Sequence, residues 1–183
     1  LEKTKEHIPF EITEALTDAL NGFIDSKDDK AILGQLQDVH YADIAEILDE
    51  LNLEQAVYVI KLLDSERTSD ILMELDEDNR EKVLKNLSAK EIAEEVEELD
   101  TDDAADIIAE LPQSKKAQVI SELEDVEHAK DIVDLLRYDE NTAGGIMAKE
   151  LVRVNENWNV LTCVKEMRLQ AENVTRVHSI YVV

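Results

Sequence analysis

Leu99-Asp100-Thr101-Asp102-Asp103-Ala104-Ala105-Asp106-Ile107-Ile108-Ala109-Glu110-Leu111-Pro112 contains one full unit of the pattern that organises most of this chain. Its two leucines lie twelve positions apart, and the spacing continues in both directions through Leu51, Leu63, Leu75, Leu87, Leu99, Leu111, Leu123 and Leu135. Three positions before each stand Leu48, Ile60, Leu72, Leu84, Val96, Ile108, Ile120 and Ile132, apolar throughout. One long helix cannot serve this period. Twelve residues at about 100° each turn about 1200°, a drift of about 120° per repeat, so the leucines would spiral around the axis. The chain must reverse once per repeat to keep them in one core. The residue after each leucine agrees: Asn52, Asp64, Asp76, Ser88 and Asp100 are helix N-cap types, and Pro112 suits a helix start. Ser88 with Glu91 spells a capping box, and Asn52 with Gln55 a looser one. The spacing predicts a stack of short helices of two to three turns, each dependent on its neighbours for stability.

Upstream, two non-repeat helices are expected over Phe10–Ile24 and Asp28–Leu36, capping the array. Downstream, Asn141-Thr142-Ala143-Gly144-Gly145 breaks the pattern, and the charge balance changes with it. The whole chain of 183 residues holds 44 Asp and Glu against 19 Lys and Arg, a net charge of -25. Residues 151–183 carry four basic and three acidic side chains, a net of +1, so residues 1–150 carry -26. Past the break, Leu151–Val154 and Ser179–Val183 read as strands around a helix over Val160–Ala171, a β-α-β order. Two strands and one helix leave a sheet face uncovered, so the second domain reads as truncated. The expected architecture is mainly α: a superhelical array of twelve-residue repeats, followed by an incomplete α/β domain.

The acidity argues against nucleic-acid recognition, which rests on basic surface. The lone Cys163 precludes an internal disulfide framework and is expected in a helix core, while no uncharged run exceeds eight residues. His7 and His128 read as surface residues, His40 as a local cap, and Tyr138 and Trp158 as anchors of the seam. EF-hand, His/Cys and P-loop spacings are all missing, as is a nucleophile–base pair, so catalysis is not expected. The acids themselves fall into columns. Residues 91–110 hold ten of them and no Lys or Arg. With Ala104, Ile107, Ile108 and Leu111 inward, Asp102, Asp106 and Glu110 line the opposite face at i, i+4 and i+8. Such a face serves either of two ends. It keeps the protein solvated and complements the helix dipole, or it offers oxygen ligands to a hard divalent cation.

Three stretches together resemble the cytosolic part of MgtE-type magnesium channels: His40–Leu48, Leu99–Ile108, and Tyr138–Met147 leading into the β-α-β unit. The resemblance covers residues 36–183, with Asn141 standing where the family commonly has an aspartate and Tyr41 where it has a proline. It implies an acidic helical N domain over 1–138, a connecting segment over 139–150, and over 151–183 the start of the first cystathionine-β-synthase (CBS) domain. It also implies a Mg2+-sensing regulatory region on the cytoplasmic face of the membrane, homodimeric through CBS domains. A connecting helix and a transmembrane pore would follow. The matching ligand candidates are Asp102 and Asp106, then backbone carbonyls near Gly144 and Gly145, then Asp103; Asp70 shares the phase of Asp106. The alternative is an acidic scaffold that docks a basic protein without sensing metal.

Overall fold

The leucine period ends helices rather than filling them. In the structure, a computed structural model that describes residues 13–139, 141–171, 174, 177 and 179–183, the repeat helices are α3 (Tyr41–Glu50), α4 (Leu53–Ile60), α5 (Ser65–Glu74), α6 (Glu77–Asn86), α7 (Ala89–Val96), α8 (Thr101–Glu110), α9 (Gln113–Glu122) and α10 (Val126–Leu135). Leu51, Leu75, Leu87, Leu111 and Leu123 are the C-cap residues of their helices. The next residue then opens the following helix. Asn52 and Gln55 form a complete capping box, and the carboxylates of Asp64 and Asp76 accept from Arg67 N–H and Asp78 N–H. His40 caps α3, its Nδ1 accepting from Ala42 N–H at 3.3 Å.

Among the described residues two helices precede the array, α1 (Glu14–Ser26) and α2 (Asp29–Leu36), packed on each other. The expected start at Phe10, and His7, lie outside the described residues. The described residues form two compact units, one running up to Ser88 and the other starting at Ala89. In the first, α3 packs on α5 and α4 on α6; in the second, α7 packs on α9 and α8 on α10. Within each unit a helix thus packs on the one after next, the consequence of a chain that reverses every twelve residues. Ile44, Ile47, Leu72 and Leu84 close the first core, and Ile92, Val96, Ile108 and Ile132 the second, all at most 3% exposed. Burying a side chain of this size stabilises by about 1.5–3 kcal/mol, which offsets the marginal stability of helices this short.

The second unit also holds β1 (Val152–Val154), α11 (Val160–Gln170) and β2 (Ile180–Val182). The strands pair in parallel, Val152 opposite Ile180 and Val154 opposite Val182. Val152 and Val154 are buried, whereas all of β2 is exposed and α11 buries nothing completely. Cys163 is accordingly half-buried rather than a core residue, because only one side of its helix is covered. His128 departs from its expected surface position in the same way. It is half-buried near the start of α10, with Nε2 at 3.4 Å from the Val96 carbonyl oxygen.

Candidate metal centre

Helix α8 carries the candidate carboxylates because of its sequence period. Ala104, Ile107, Ile108 and the following Leu111 are buried as expected, and Thr101 and Ala105 join them. Asp102, Ala105, Asp106 and Ala109 remain on the flank facing an open pocket of about 340 Å3. The short alanine side chains leave the room. Leu135 and Leu136 at the end of α10 form its apolar side, Tyr138, Asp139, Asn141 and Gly145 a largely polar wall, and Lys116 of α9 completes the lining.

The wall is a tight turn. Asp139 folds back on its own backbone: its Oδ1 accepts from Asn141 N–H at 3.1 Å, and its carbonyl oxygen from the Thr142 hydroxyl at 2.7 Å. Gly145 N–H donates to the Thr142 carbonyl oxygen at 3.0 Å. At Gly144 an added Cβ would overlap the Tyr138 ring, so Tyr138 anchors the turn only because a glycine faces it. Trp158 stands apart from this role, half-exposed beyond β1.

The pocket therefore gathers Asp102, Asp106 and Gly145 of the sequence candidates, and adds Asp139, Asn141 and Lys116. Gly144 packs against Tyr138 and is not part of the lining. Asp103 lies outside the lining; burial raises its carboxyl above the ordinary range, and the charges of Asp102, Asp100, Asp106 and Glu150 add to the effect. Asp70 is an exposed residue of α5 in the other unit. Glu110 does not line the pocket. Among the described residues, no three His, Cys, Asp or Glu side chains converge tightly enough to hold a metal ion alone. The donors present are carboxylate, amide and carbonyl oxygens beside open water, a set suited to a cation that keeps much of its hydration.

The segment behind the turn is stitched to the helices. Asp100 precedes α8 without a side-chain cap, and Glu150 supplies one from 49 residues downstream. Glu150 Oε1 accepts from Thr101 N–H at 3.0 Å and Oε2 from the Thr101 hydroxyl at 2.9 Å, while Lys149 N–H donates to that hydroxyl oxygen at 3.0 Å. Lys149 Nζ donates to Asp134 Oδ2 at 2.6 Å. That hydrogen bond holds the Asp134 carboxyl below its ordinary range and the Lys149 ammonium above its own. Sequence reasoning missed Glu150 because its partner is remote in the chain. Asp139 carried one local signal, an aspartate ahead of a Thr-Ala-Gly-Gly turn.

No described helix is long and apolar enough to cross a membrane. No curated protein matches the chain. Two solved structures are similar. One is the soluble part of a magnesium transporter, 24% identical, with a TM-score of 0.73 over 93% of this chain and 67% of that one; at this identity it shows the fold alone. The other is the cytosolic domain of the Mg2+ channel MgtE in complex with ATP, 28% identical, with a TM-score of 0.81 over 91% of this chain and 68% of that one. The family model of the MgtE intracellular N domain matches residues 39–141, more than half of the 183 residues, and the chain belongs to that family.

Proposed function

We propose that this chain is part of the cytosolic Mg2+-sensing region of a magnesium channel or transporter. In this reading the acidic helical part closes on CBS domains when intracellular Mg2+ is high, and so restrains the pore. The supporting observation is the single pocket that places Asp102, Asp106, Asp139, Asn141 and Gly145 around one open space. Mg2+ usually takes one or two carboxylates directly and keeps several waters, so an incomplete set of ligands on one surface suits a joint that a second surface completes. Asp102 and Asp106 are the ligands we assign first, with the backbone carbonyls near Gly144 and Gly145 beside them. Asp103 adds field rather than a lining group, and Asp70 would serve a separate contact. Residues 1–138 form the N domain in this scheme, 139–150 the connecting segment, and 151–183 the start of the first CBS domain. Homodimerisation through CBS domains, a connecting helix and a membrane pore belong to the same proposal.

Magnitudes favour several weak sites over one tight one. Two carboxylates about 6 Å apart repel by about 0.7 kcal/mol in water and about 3 kcal/mol at an effective dielectric of 20. A facing acidic surface is therefore held off until cations intervene. A site at five times its dissociation constant contributes about 1 kcal/mol, whereas moving a gate from 1:99 to 99:1 takes about 5.5 kcal/mol. About five such sites are needed. The test is scattering from the dimeric cytosolic region with and without millimolar Mg2+. We expect the region to contract with Mg2+, and Asp102→Asn with Asp106→Asn to blunt the contraction. Identical dimensions in both conditions, or full contraction in the double variant, would overturn the reading. A nucleotide role for the completed β-α-β domain is favoured by one observation, the ATP in the 28% identical relative; ATP titration in Mg2+-free buffer separates it from metal sensing.

A further inference from the structure

The pocket that we assign to Mg2+ has a cation of its own. Lys116 is half-buried on α9, and its ammonium Nζ donates to the Ala109 carbonyl oxygen at 2.7 Å. Ala109 is in the last turn of α8, where unsatisfied carbonyls carry the negative end of the helix dipole and attract a positive charge. Asp102, Asp106 and Ala109 follow one another at i, i+4 and i+7 and share one flank. At 1.5 Å of rise per residue, the carbonyl that holds the ammonium is about 4.5 Å along the axis from the level of Asp106 and about 10 Å from that of Asp102. The lysine stem reaches this position because Ala105 and Ala109 present only methyl groups to the pocket. Lysine, a compact charge on a flexible stem with three rotatable donors, holds this hydrogen bond with one of them.

We propose that Lys116 is an affinity-setting residue for the α8 site: a resident positive charge that keeps divalent binding weak and so places the response at high intracellular Mg2+. The inference rests on the metal reading of the same pocket. A divalent ion about 6 Å from a unit charge in water meets a repulsion that corresponds to about tenfold in affinity, and salt reduces it. Neutralising Lys116 should therefore tighten Mg2+ binding about threefold to tenfold at low ionic strength, and less at high salt. An acidic flank without a tuning charge predicts no such change.

The test is a Mg2+ titration of this chain followed by NMR shifts of the Asp102 and Asp106 amides, at fixed ionic strength and up to tens of millimolar. Lys116→Gln removes the charge while keeping a donor for the Ala109 carbonyl; Lys116→Arg keeps the charge. Melting curves of both variants check the fold. We expect Lys116→Gln to lower the half-saturating Mg2+ concentration and Lys116→Arg to stay within twofold of the parent. Unchanged or weaker binding in a folded Lys116→Gln variant would overturn the role of Lys116 alone, provided that Asp102→Asn with Asp106→Asn abolishes the shifts. Shifts that survive the double aspartate variant, or a parent that shows none, would overturn the site and the lysine role together.

Discussion

Gly144 and Asp103 show how single positions set the geometry and charge around the pocket. A methyl group at 144 would overlap the Tyr138 ring, but that ring is half-exposed and can swing toward solvent. We expect Gly144→Ala to cost about 1–2 kcal/mol, the lower part of the range for overpacking. Thermal unfolding of Gly144→Ala in a Tyr138→Ala background checks the cause: most of the penalty should vanish once the ring is gone. Asp103 poses a sign question. A first-turn acid normally gains from the helix dipole, yet the N-terminus of α8 is already served by the Glu150 carboxylate and flanked by Asp100 and Asp102. Burial and those like charges raise its folded pKa. The stability linked to its proton is then complete below the ordinary Asp value, about pH 4, and is lost as pH rises through the raised folded value. Asp103→Asn should thus stabilise by a few tenths of a kcal/mol at neutral pH, with the gain disappearing below about pH 4 in urea titrations at matched salt.

At the scale of elements, α8 depends on a partner from outside its own sequence neighbourhood. Glu150 replaces the cap that Asp100 does not provide, and the Lys149–Asp134 pair ties the same strap to α10. Loss of an N-cap costs about 1 kcal/mol, and the Thr101 hydroxyl buried beside it would lose an acceptor as well. Glu150→Ala should therefore destabilise by about 1–2 kcal/mol. The distinguishing measurement is hydrogen exchange, which should accelerate first at Thr101, Asp102 and Asp103; uniform acceleration across the second unit would contradict a local cap. Because this strap leads directly into β1, weakening it should also loosen the strand pair.

At the scale of the molecule, a net charge of -25 works against compaction at low salt. Monovalent salt screens that repulsion generally, whereas a bound divalent ion acts at its site. Melting curves at constant ionic strength should show a higher midpoint in Mg2+ than in Na+. Asp102→Asn with Asp106→Asn should remove that excess and leave the response to Na+ intact. An excess that is retained would mean that diffuse screening, and not the α8 pocket, accounts for the Mg2+ effect.

The sequence by itself determined where helices begin and end. From α3 to α9 the first helical residues are 41, 53, 65, 77, 89, 101 and 113, twelve apart without exception. Cap chemistry and apolar spacing are local and act within a few residues, so they can be read along the chain. The β-α-β order followed from the same local signals, and the structure pairs its strands in parallel. Only the tertiary structure decided that repeat helices within each unit pair with the next but one, that Lys116 and Asp139 join Asp102 and Asp106 in one pocket, and that Glu150 caps α8. Those outcomes depend on which flanks meet after the chain has reversed. A twelve-residue period specifies that reversal but not the neighbours it brings together.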